Sequence, residues 1–219
     1  MSEVILLGMS LIVLSISGSC FAQETGATAA PASQTGAQGF QWPQPIRWRT
    51  ETIPFPLDFA PDIQHRGIVE VRFSPGFKDP AAEGFWSYAF VWWLQDDVPL
   101  TRELLADELT RYYFGLSKAV AGDKNVIRAD AFKADLTDEV TTAPYSSAYR
   151  GIIDSFEPFK TGKPIRLIVR IRVGKCEATK RRFVLVEASP QPVSAAIWRE
   201  LSQVADSFKC SLPRPARAE

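Results

Sequence analysis

The chain has 219 residues, 46% of them hydrophobic, and its 25 Lys and Arg balance 25 Asp and Glu, with a single His. That length suits one domain with a sizeable core. The even charge excludes a dedicated nucleic-acid binder, which would carry a marked basic excess, and the absence of Walker, Rossmann and paired CxxC motifs removes the signatures of nucleotide and zinc sites.

From Val4 to Ile16 the residues are apolar apart from Gly8, Ser10 and Ser15, the length of a signal-peptide core and short for a bilayer span. Cleavage after Ala22 would place Ala22 and Cys20 at the two inspected positions, although no Lys or Arg precedes the apolar run. The expectation is a signal peptide over 1–22 and export to the periplasm or beyond, with no transmembrane segment after cleavage. Cys20 offers a second reading, a lipoprotein anchored there, but Ser17 stands where that signal has Leu or Val. Residues 23–39 are small and polar and read as a disordered tether. A single domain is expected over 40–212, with 213–219 a frayed tail.

Residues 40–63 contain five prolines, which forbid a regular helix and argue against a central strand. An extended arm is expected, anchored by Trp42, Trp48, Phe55 and Phe59. Ile68–Phe73 alternates as a half-buried strand, ended by the turn pair Pro75-Gly76. Phe85–Leu94, FWSYAFVWWL, is apolar on both faces: Trp86, Tyr88, Phe90, Trp92 and Leu94 on one, Phe85, Ser87, Ala89, Val91 and Trp93 on the other. Such a strand must be covered on both sides. The short loop before it predicts antiparallel pairing with Ile68–Phe73.

Thr101–Ala121 predicts a helix with the stripe Leu105, Leu109, Tyr112, Leu116 and Val120, closed by Gly122. Strands are predicted at 126–136, 149–156, 165–173 and 183–188. In IRLIVRIRV, Ile165, Leu167, Val169, Ile171 and Val173 form the inward face, and Arg166, Arg170 and Arg172 stand on the other beside Ile168. Ser189-Pro190-Gln191-Pro192 breaks the sheet before a last helix, Ser194–Lys209, with Ser194 as its cap.

Candidate chemistry is sparse. His65 lies in a sequence that reads as a surface turn. Asp96 and Asp97 precede a helix, where charge capping explains them better than a cation or an acid–base pair. Cys176 and Cys210 are expected to form a disulfide, given export and even parity. No catalytic residue, cofactor or metal site is assigned. The arginines at 166, 170 and 172 form a candidate anion-binding face.

The order strand, strand, helix, three or four strands, helix predicts an α+β fold. Five to six antiparallel strands would pack against two main helices as an α/β/α sandwich. The element order and the closing Asp206-Ser207-Phe208-Lys209 end resemble the exported PsbP-like domains of photosystem II over most of residues 60 to 210. That resemblance is architectural and implies no residue role. The function expected from the residues is an exported, non-catalytic module that binds a protein or an anionic glycan or lipid of the envelope. The alternative is an exported enzyme whose carboxylates meet only in the fold.

Overall fold

In a computed structural model of the chain, the structure describes residues 39–122 and 127–210. The expected signal peptide and nearly all of the tether and tail lie outside them. The elements are β1 (Phe40–Gln41), β2 (Arg49–Phe55), β3 (Gly67–Phe73), β4 (Tyr88–Leu94), α1 (Arg102–Ala121), β5 (Lys133–Glu139), β6 (Tyr145–Glu157), β7 (Lys163–Lys175), β8 (Arg182–Ser189), α2 (Ala196–Asp206) and β9 (Lys209–Cys210). Seven of the strands form an antiparallel sheet in the order β2-β3-β4-β8-β7-β6-β5, and β1 pairs with β9. The fold is α+β, with two helices on a large antiparallel sheet.

The sheet has seven strands rather than five or six, because part of the proline-rich arm joins it as β2. An edge strand uses only one of its two rows of backbone groups, so proline is tolerated there. Pro54 sits in register opposite Ile68 on that edge. The remainder of the arm packs down as expected. Trp42, Trp48 and Phe55 are buried, and the Trp42 indole N–H donates to the Val204 carbonyl at 2.8 Å.

Strand β4 lies inside the sheet, and its alternation divides the core. Tyr88, Phe90, Trp92 and Leu94 join one apolar cluster with Leu105, Leu109 and Tyr112 of α1. Ala89, Val91 and Trp93 join a second with Ile197, Trp198 and Leu201 of α2. Phe85 departs from the expected alternation and packs with the first cluster. The strand begins only at Tyr88, and Trp86 bends the chain at φ 50°.

Helix α1 starts where predicted, with Thr101 Oγ1 accepting from the Leu104 N–H at 3.2 Å. Asp96 and Asp97 do not cap it. Asp96 accepts from the Arg66 backbone at 2.6 Å and side chain at 2.9 Å, while Asp97 pairs with Arg182 at 2.6 Å and Lys175 at 3.4 Å. Five residues of chain separate Asp96 from the first helical residue, too far for either carboxylate to reach the unpaired N–H groups. The α1 stripe holds except at Val120, which is 38% exposed near the helix end. Helix α2 is shorter than expected, and Ala195 rather than Ser194 occupies its cap position without a side-chain hydrogen bond. A distant carboxylate substitutes, since Glu83 accepts from the Ile197 N–H at 3.1 Å.

His65 is the clearest correction to the sequence reading. It is 4% exposed, its Nε2 stands 3.0 Å from Glu108 of α1, and the Phe55 ring meets it edge-on. The chain around it is a loop, but α1 covers that loop.

Candidate anion-binding groove

The two helices cover opposite faces of the sheet at different places. Helix α1 packs on β5 and β6, while α2 packs on β8 and β4. On the α2 side, β5 and the part of β6 beyond Ala148 are therefore left bare, while Tyr145 at the start of β6 packs with the second cluster. Their side chains there are Lys133, Asp135, Thr137 and Glu139 from β5, and Arg150, Ile152 and Asp154 from β6. The sequence is consistent with this. The opposite β5 positions Ala134 and Leu136 are apolar and pack into the first core cluster, whereas the bare positions are charged or hydroxylated.

Register sets the order of groups across the bare face. Asp154 stands opposite Arg166, Ile152 opposite Ile168, and Arg150 opposite Arg170. A groove of about 630 Å³ runs over these rungs between β5 and Val193, just ahead of α2. A smaller depression of about 340 Å³ continues past Arg170 toward Arg172, Glu187 and Asp206.

The three arginines singled out in the sequence do share this face, but they are engaged differently. Arg166 pairs with Asp154 at 2.6 Å on the surface. Arg172 bridges Glu187 at 2.8 Å and Asp206 at 2.6 Å, and lies over the Tyr145 ring. Arg170 forms no ion pair among the described residues. Its guanidinium lies 4.8 Å from the Trp198 ring centre and 3.3 Å from Ser202 Oγ. Burial pushes the Glu187 carboxyl up, against the opposing pull of Arg172, of a 3.0 Å hydrogen bond from Ser202, and of Arg170, which stands opposite it across β7 and β8.

Sequence reasoning missed Arg150. It is exposed, lies directly opposite Arg170, and forms no ion pair or side-chain hydrogen bond among the described residues. The signal was the alternation Arg150, Ile152, Asp154 in β6. It was weak because the strand's inward positions include Gly151 and Ser155.

Cys176 and Cys210 are bonded, with Cα atoms 5.6 Å apart, tying the β7–β8 hairpin to β9. Other basic residues of that hairpin are held locally. Lys180 pairs with Glu177, and Arg181 lies 5.9 Å from the centre of the Trp93 ring. Among the described residues no group of three or more His, Cys, Asp or Glu is placed to hold a metal ion, and no helix is long and apolar enough to cross a membrane.

The fold and the groove define an α+β module with one sheet face half covered. No family model matches the chain, and no curated protein matches it. A solved structure similar to it is the crystal structure of LpqN, described as involved in cell envelope biogenesis of Mycobacterium tuberculosis. The match has a TM-score of 0.31 and 16% identity, and covers 78% of this chain and 82% of that one. At that score the likeness carries no argument about this chain.

Proposed function

We propose that this protein is an exported, non-catalytic binding module of the cell envelope that takes an anionic partner on the bare face of β5, β6 and β7. The observation that carries the reading is the rung of Arg150 and Arg170: the two residues stand opposite each other in register and line one groove, and neither forms an ion pair among the described residues. Export is supported by the apolar run Val4–Ile16 and the small residues before Gln23, and by a disulfide of the kind that oxidising compartments favour. Lipid attachment at Cys20 remains the second form of that proposal.

A binding role is favoured over a carboxylate-based enzyme because most acids along the groove already serve as counter-ions. Asp135 pairs with Lys133, Asp154 with Arg166, and both Glu187 and Asp206 with Arg172. An acid–base pair needs carboxyl groups facing a substrate, not closed onto arginine.

Fractionated phospholipids, glycans and proteins of the envelope, each titrated against the purified protein at increasing salt, test the reading. Binding of one anionic class, weakened by salt and abolished by Arg150→Glu and Arg170→Glu in a folded variant, is the expected result. Binding that ignores both salt and the charge reversals overturns it.

A further inference from the structure

We infer that the groove is the seat of a small amphipathic anion, its single charged group held between Arg150 and Arg170 and its apolar body lying along Ile152, Ile168 and Val193. The inference rests on the reading of this face as a binding surface and adds the class of ligand.

The charged end follows from the register. Like charges placed directly across an antiparallel pair disfavour the fold; Glu187, opposite Arg170 on β8, offsets part of that charge but is shared with Arg172, and Arg150 forms no ion pair among the described residues. Arg170 is held by Trp198 and Ser202 of α2, so it cannot swing away cheaply. One carboxylate or phosphate between the two forks turns the repulsion into paired, charge-assisted hydrogen bonds.

The apolar end is the next rung. Ile152 and Ile168 face each other beside the arginines. Ile152 is 41% exposed and Val193 57% exposed. Single exposed aliphatic side chains are ordinary; these converge on one groove with Arg150 and Arg170. Successive rungs on one face are about 7 Å apart, so a ligand spanning both ends is short.

Size and rim charge narrow the class further. A groove of about 630 Å³ falls within the range of small-molecule sites, roughly 300 to 1,000 Å³. The β5 rim carries Asp135 and Glu139. Asp135 is neutralised by Lys133, but Glu139 has no ion pair among the described residues and would repel a second negative group. A ligand with one anionic head fits where a polyanion does not.

The test is calorimetric titration of the intact exported protein with octyl phosphate, inorganic phosphate and octyl glucoside, all below their micelle concentrations. Octyl phosphate is expected to bind about tenfold or more tightly than the head alone or the neutral amphiphile. Arg150→Gln should remove that preference, with the melting temperature of the free protein unchanged or raised. Val193→Ser should weaken octyl phosphate without changing inorganic phosphate. Equal binding of octyl phosphate and inorganic phosphate, or octyl phosphate binding that survives Arg150→Gln, overturns the inference. If octyl phosphate fails to bind while an anionic envelope fraction is still retained through Arg150, the inference falls and the broader function stands. If neither binds, both fall.

Discussion

His65 and Glu108 meet at 3.0 Å beneath Phe55 and Trp92, each about 5% exposed or less. The pair ties the loop after the arm to the middle of α1. Neither group has water to fall back on, so removing one leaves the other unsatisfied in an apolar surround. Glu108→Leu is expected to cost about 1 to 3 kcal/mol in urea melts. The double variant His65→Phe with Glu108→Leu should cost less than the two single changes added together, because it removes the stranded partner as well. Additive losses would mean that the two residues do not act as a unit.

Gly115 should be more stable than alanine at its position, against the normal preference of helices. Alanine usually gains about 0.8 to 1 kcal/mol over glycine inside a helix. Here a Cβ would lie 1.9 Å from the Phe59 carbonyl oxygen, and both that backbone and α1 would have to move. Gly115→Ala is expected to destabilise the protein by about 1 to 3 kcal/mol, read from its thermal midpoint. A stabilised variant would show that α1 does not pack this closely on the arm.

Glu157 ends β6 and is buried, with its carboxylate accepting the backbone N–H groups of Phe159, Lys160 and Thr161. Burial raises its pKa, but the hydrogen bonds from Thr161 and Phe159 outweigh burial and hold it below the usual carboxylate range. Its folded value is lowered, so its stabilisation is present above the unfolded value of about 4.3 and is lost as pH falls through the folded value. Glu157→Gln should cost about 1.5 to 3 kcal/mol near pH 7. The gap between parent and variant should close as the pH of the melts is lowered below that range. A gap independent of pH would remove ionisation of Glu157 from the explanation.

The Cys176–Cys210 bond closes a sequence separation of 34 residues, worth about 3.5 to 4 kcal/mol in the chain-entropy treatment. Cys176→Ser with Cys210→Ser should lower stability by up to that amount. Non-reducing mass spectrometry of the parent, produced in an oxidising compartment, should find no alkylatable thiol at either position. Two free thiols, or a double variant as stable as the parent, would contradict the staple.

What the sequence determined is what periodicity can encode. The run Tyr88–Leu94, apolar on both faces, required cover on both sides, and the stripe through Leu105, Leu109 and Tyr112 supplied one covering element. Gly122 marked the end of α1 because that closing turn is a local property of the chain, whereas the cap at its start is Thr101 rather than Asp96 or Asp97. Tertiary structure decided what depends on long-range placement. Glu83 reaches α2 from 114 residues away, and His65 is buried because α1 crosses its loop. The groove is the same kind of case. Alternation placed Arg170 on the outward face of its strand, but three facts cannot be read along one strand. They are the register that sets Arg150 opposite it, the carboxylates that occupy Arg166 and Arg172, and the position of α2 that leaves β5 and the part of β6 beyond Ala148 bare. Each depends on which segments meet across the sheet, and a one-residue slip in pairing would have put Arg150 opposite an inward-facing valine or isoleucine instead.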